Sequence, residues 1–173
     1  MTETTPEDPR EATLRWYIPA VGMFVSLFAI VELMLNQVLW VYSGIPRKMA
    51  AAVFSSSRVD YCCQILTRII DAQALSGDKI VELKLAMEQI GVIARTRNDI
   101  LHFGLYEVKD DGVIVSNEDF AHIEARIRAL HISPEAFRHL KDDIEKILSI
   151  LHRNTGNPKY QSLPLFLTRF MAI

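Results

Sequence analysis

The feature that most constrains this chain is a run of apolar residues from Trp16 to Pro46, broken by one carboxylate, Glu32. A window of roughly 20 such residues is long enough to span a bilayer as a helix. Glu32 sits near its middle, and Asn36 and Gln37 follow one turn later. A carboxylate at that depth costs about 2.5–3.5 kcal/mol on insertion scales. The run therefore reads as the central helix of a bundle, able also to serve as a dimer face, in preference to a membrane span. Gly44 and Pro46 end it, because glycine followed by proline is a helix stop.

The rest of the chain supports a folded, water-exposed bundle. It has 173 residues, 50% of them hydrophobic, enough for one domain with a core. Seven Gly and seven Pro argue against a loop-rich or disordered protein. A net charge of -2 gives no bulk attraction for nucleic acid, so any phosphate contact must come from a local patch. Cys62 and Cys63 are neighbours with no metal-ligand spacing around them, and read as reduced helix residues of a cytoplasmic protein. The opening residues are polar and acidic with Pro6 and Pro9, so no secretory signal is expected.

Periodicity divides the chain into a disordered leader (1–13), a helical bundle (14–155) and a C-terminal tail (156–173). After the first helix, Arg47-Lys48 form a connector and Ser55-Ser56-Ser57 a cap for a helix over Arg58 to Leu75, with Val59, Cys62, Leu66, Ile69 and Gln73 on one face. A third long helix, Asp78 to Leu101, carries the stripe Ile80, Leu83, Met87, Ile90, Ala94 and Leu101. Asp111-Gly112 between Leu105–Val108 and Val113–Val115 signals a β-hairpin. Ser116 and Asp119 then read as a capping pair for a helix with Phe120, Ile123, Ile127 and Leu130 inward. Ser133-Pro134 opens the last helix, whose stripe is Phe137, Leu140, Ile144, Ile147 and Leu151. The expected fold is all-α: a four- to five-helix bundle with one short hairpin after the third long helix.

Chemistry concentrates in Arg95-Thr96-Arg97-Asn98-Asp99-Ile100-Leu101-His102. At 100° per residue, Arg97 falls on the apolar stripe between Ala94 and Leu101, where a charge needs a partner. Asn98 and His102, four apart, share a flank of that stripe, and Arg95 joins them. Imidazole moves protons near neutral pH, and guanidinium presents a flat, permanently charged fork to phosphate oxygens. These groups suit phosphoryl transfer without a metal; Asp99 alone does not make a Mg²⁺ site, and no cofactor is expected.

Arg97, a polar residue directly after it (Asn98), three more residues and then His102, late in a long helix, resemble the motif of the HEPN superfamily. Those proteins are all-α bundles, and many are metal-independent endoribonucleases acting as toxins or antiviral defence effectors. The resemblance implies that Arg97 and His102 are the catalytic pair, with Asn98 in support. It implies a homodimer whose two sites share a cleft, an RNA substrate rather than DNA, and in some settings an antitoxin or partner protein. The reaction implied is attack of a ribose 2′-hydroxyl on its own phosphate. The family's spacing also accommodates Arg95, which is read here as a phosphate-binding helper. The tyrosine that some family toxins carry two residues after the histidine is replaced by Gly104, and the nearest is Tyr106, so silencing through that tyrosine is not implied. A non-catalytic RNA- or protein-binding module is the alternative, and membrane attachment through the first helix a more distant one.

Plainer roles compete for the same residues. Arg95, Arg97 and His102 also suit a helix C-terminus, which favours cations. Glu32 either reaches solvent or pairs with Arg97 or Arg95 and holds the arginine in place. His122, His131, His139 and His152 make no metal triad and read as surface residues, and Arg126, Arg128, Arg138 and Lys141 read mostly as a solvated face that could also extend a phosphate track.

Overall fold

The computed structural model describes residues 8–55 and 57–156. Helix α1 (Pro9–Ser43) is followed by the short α2 (Arg47–Phe54), then α3 (Val59–Ala72) and α4 (Asp78–His102). Strands β1 (Gly104–Lys109) and β2 (Gly112–Ser116), two 3₁₀ turns and strand β3 (Ala129–Ile132) precede α5 (Pro134–Thr155). The fold is mainly α, with five α-helices and a three-stranded antiparallel sheet of order β1-β2-β3 among the described residues.

Several boundaries move from where the sequence puts them. α1 begins at Pro9, so residues 9–13 of the expected leader are helical. Asp8 explains the early start, since its Oδ1 accepts the Arg10 N–H at 2.9 Å. Residues 1–7, and the tail beyond Gly156, lie outside the described residues. The connector after α1 contains α2, whose Ala50 and Phe54, one turn apart, are buried. The serine cap expected for α3 is not formed: Arg58 occupies the cap without a side-chain bond, and Ser55 Oγ instead donates to Ala51 O at 2.5 Å. Ser56 of that cap lies outside the described residues.

The described chain divides into two compact units, residues 8–28 with 92–144 and residues 29–91 with 145–156. In the second, Val31, Leu35, Val38 and Leu39 of α1 are buried, as are Cys62, Leu66 and Ile70 of α3. Ile80, Leu83, Met87 and Ile90 of α4 and Ile147 and Leu151 of α5 join this core. Each set repeats at three and four residues, the spacing that keeps one helix face apolar. Tyr42 at the end of α1 donates to Asn154 Oδ1 at 2.7 Å, and the Asn154 amide donates to Ile150 O at 2.8 Å.

In the first unit, Phe24, Leu27 and Phe28 of α1 are buried, with Ile93 and Ile100 of α4. Phe137 of α5 meets Trp16, Tyr17 and Phe24 with ring centroids 6.1–6.3 Å apart. Burial pushes the Tyr17 phenol above its ordinary pKa. The sheet belongs here too. Lys109 pairs with Gly112 across an Asp110-Asp111 turn, so the hairpin forms at the expected place.

The segment expected as a helix with Phe120, Ile123, Ile127 and Leu130 inward is not helical. It makes the 3₁₀ turns Glu118–Phe120 and Glu124–Arg126 and then β3, leaving Phe120 68% and Ile123 50% exposed. Asn117 supplies the reason. Its Oδ1 accepts the Arg128 N–H at 2.7 Å and its amide donates to Arg126 O at 3.2 Å. Its backbone N–H also donates to Arg128 O. The segment is thereby tied to the open edge of β2, and ladder bonds Val113↔Ile132 to Ser116↔Ala129 replace helical ones. Val113 and Val115 of β2 and Ile132 of β3 bury one face of this sheet.

Candidate functional site

The last two turns of α4 carry the residues singled out by the sequence, and the helix persists through His102. Arg97 is half-buried, as its place on the apolar stripe requires. Its Nη1 donates to Asn98 Oδ1 at 3.2 Å, and its Cζ lies 5.8 Å from the centroid of the Phe28 ring. Its Nε is buried without a hydrogen-bond acceptor. Among the described residues no carboxylate pairs with Arg97. A guanidinium held by a neutral amide and an aromatic face, with no anion beside it, keeps its charge available to an incoming phosphate.

Asn98, Arg95 and His102 are exposed. Of the expected cluster, the structure joins Arg97 to Asn98 by a hydrogen bond. No hydrogen bond links Arg95 or His102 to them among the described residues. Helical spacing still sets Asn98 and His102 on one side of α4, one turn apart. His102 is the last helical residue of α4. The stripe itself drifts near this end: Leu101 is 40% exposed, and Ile93 and Ile100 are buried in its place.

The residue that sequence reasoning missed is Asp99. It is buried, and its two carboxylate oxygens accept Arg128 Nη1 at 3.1 Å and Nη2 at 2.5 Å. The Arg128 guanidinium lies 5.8 Å from the Phe103 ring centroid, and the Phe103 N–H donates to Asp99 O at 2.9 Å. Arg128 is exposed, as a solvated face implies, but its guanidinium is also engaged. It clamps the end of α4 on both sides of His102, through Asp99 and Phe103. The only local hint was an acidic residue between Arg97 and Ile100, and nothing in the intervening sequence points to residue 128.

Glu32 belongs to the other unit and is half-buried. Within that unit its carboxylate makes no ion pair among the described residues, while Arg95 and Arg97 belong to the first unit. Of the remaining histidines, His131 Nε2 lies 3.1 Å from Asp111 Oδ1 and His139 Nε2 3.4 Å from Glu135 Oε1. His152 departs from the surface role expected for it: it is half-buried, with its Nε2 enclosed and unpartnered. Among the described residues no group of three His, Cys, Asp or Glu side chains is placed to hold a metal. Both cysteines are free thiols, and burial, with Cys62 and Asp60 nearby, pushes Cys63 up to about 12.

Comparison with protein-family models, curated proteins and solved structures finds no match to this chain. The functional reading therefore rests on the site itself.

Proposed function

We propose that this chain is a HEPN-type endoribonuclease that cleaves RNA without a metal, as a cytoplasmic toxin or antiviral defence effector. The observation that carries the reading is Arg97: a half-buried guanidinium with no carboxylate partner among the described residues, bound to Asn98 and five residues before an exposed histidine. The mainly helical fold and the position of the motif at the end of a long helix support it.

In this reading the phosphate of the scissile linkage docks on Arg97, with Arg95 as a second cation. Imidazole at His102 takes the proton of the ribose 2′-hydroxyl. The 2′-oxygen bonds to phosphorus, and the bond from phosphorus to the 5′-oxygen breaks. The departing 5′-oxygen takes a proton, leaving a cyclic 2′,3′-phosphate and a 5′-hydroxyl. Arg97 offsets the charge that grows on the non-bridging oxygens, and Asn98 fixes its guanidinium. A homodimer would bring a second copy of each group to the cleft.

The test is RNA cleavage by the purified chain in EDTA, beside His102→Ala and Arg97→Ala at matched folding. Cleavage that survives EDTA and disappears in both variants supports the proposal. Absence of cleavage by the wild type, or equal cleavage by all three, defeats it. One observation favours a binding module instead: no side chain among the described residues hydrogen-bonds to His102 and orients its ring. In that case RNA binding persists in His102→Ala and no product forms with any variant.

A further inference from the structure

The corner between α1 and α2 leaves apolar side chains uncovered in a basic setting. Val41 is 53% exposed, and Met49 and Val53 are 60% exposed each. Met49 and Val53 are one turn apart on α2, while Ala50 and Phe54 on its other side are buried. Beyond Arg47 and Lys48 at its start, the exposed residues of this eight-residue helix are apolar, so its outer face mixes two cations with Met49, Ala52 and Val53. From Leu33 to Val59 the chain contains Arg47, Lys48 and Arg58 and no Asp or Glu, although the whole protein carries a net charge of -2. Among the described residues neither Arg47 nor Lys48 has an ion pair. Arg47 lies 5.7 Å from the Trp40 ring centroid and lines, with Trp40, Val41, Gly44 and Ile45, a shallow groove of about 330 Å³. Arg47, Trp40, Val41 and Ile45 thus share one groove, and Lys48, Met49 and Val53 are exposed on the adjoining helix α2.

We propose that this corner docks peripherally on an anionic phospholipid surface. Met49, Val53, Ile45 and Val41 enter the headgroup–acyl boundary, Arg47 and Lys48 meet the lipid phosphates, and Trp40 lies at the interface. Charge complementarity chooses this occupant: a basic stretch free of carboxylates matches a negative leaflet. A second copy would set these cations against each other. The docking differs from a span, because α1 keeps Leu35, Val38 and Leu39 in the protein core.

Cosedimentation of the purified full chain tests this, with vesicles of phosphatidylcholine alone and of phosphatidylcholine with phosphatidylglycerol at 3:1. The expected result is binding to the mixed vesicles alone. Replacing both Arg47→Gln and Lys48→Gln should weaken binding about thirtyfold, as two cations near a charged membrane surface imply. The pair Met49→Ser and Val53→Ser should weaken it at least tenfold. All four side chains are exposed, so circular dichroism and thermal midpoints of both variants should match the wild type. Absence of binding to the mixed vesicles, or equal binding by wild type and both variants, overturns the proposal. So does protein that stays with the vesicles through an alkaline carbonate wash, which means that α1 is inserted. A loss of dimer mass in the Met49/Val53 variant without any vesicle binding overturns it too, and gives the face to a second copy.

Discussion

Asp99 and Arg128, 29 residues apart, form a two-pronged ion pair at 3.1 Å and 2.5 Å that closes over the end of the helix carrying His102. Asp99 is buried, whereas the Arg128 side chain is 59% exposed. The pair's value is therefore asymmetric. Solvent screens the arginine, but a carboxylate left alone at 12% exposure loses its partners and regains little water. Arg128→Ala should cost about 1–3 kcal/mol of stability, the penalty for an unsatisfied buried acceptor. If the proposed cleavage holds, kcat should fall with KM little changed, because His102 is displaced and Arg97 is not. Urea denaturation and steady-state cleavage read the two effects separately. Arg128→Lys, which restores one of the two bonds, should recover part of each.

Arg97 should show the opposite balance between stability and activity. Its Nε is enclosed without an acceptor, a cost to folding that a residue kept for packing alone would not carry. Arg97→Met fills the same volume against Phe28 and removes the orphaned donor. The folded state should be unchanged or more stable by about 1 kcal/mol, while RNA cleavage should drop at least a hundredfold. A variant that loses stability and keeps cleavage would make Arg97 a structural residue. Thermal melts beside a cleavage assay decide between them.

What was legible in the sequence follows from what periodicity can encode. The stripes of α4 and α5 were readable because Leu83, Met87, Ile90, Ile144, Ile147 and Leu151 are buried by their own helical spacing. The hairpin was readable because turn-forming residues, Asp110, Asp111 and Gly112, separate two apolar runs, although the turn itself is Asp110-Asp111 and Gly112 opens β2. Strand β3 was hidden, since Phe120, Ile123, Ile127 and Leu130 copy a helical stripe, and the decision against a helix is made by Asn117 acting across the sheet edge. Helix α2 was hidden by its brevity. At the site, the half-burial of Arg97 could be placed on a helical wheel, because it depends on α4 alone. The Asp99–Arg128 pair could not, because it depends on where β3 returns the chain.

Gly112 is set by a close approach. A Cβ at this position would stand 2.3 Å from Ile132 O, a backbone atom of the paired strand β3. Backbone cannot swing aside as a side-chain end can, so β2 and β3 would have to separate. Gly112→Ala should therefore destabilise the fold by about 1–3 kcal/mol, as overpacking does. Amide exchange should speed up first at the β2–β3 ladder, with α3 protection retained. Equal exchange across the ladder in mutant and wild type would show that the strands tolerate the methyl group.

Cys63 offers a test that needs no substrate. Its thiol is free and half-buried, and burial is the largest of the causes that raise its pKa from 9.0 to about 12. The thiolate is the reactive form, so at pH 8 the folded chain presents almost none of it. Iodoacetamide should leave Cys63 unmodified in the native protein and label it readily in urea, as peptide mass spectrometry would show. The same shift fixes the sign of a stability effect. From pH 9.0 towards 12 the unfolded chain gives up a proton that the folded chain retains, so this group's contribution to stability falls as pH rises. Cys63→Ala should therefore lose less stability than the wild type over that range, with the two curves parallel below it. Rapid native alkylation at pH 8 would show that the thiol is open to solvent and would remove the basis for both effects.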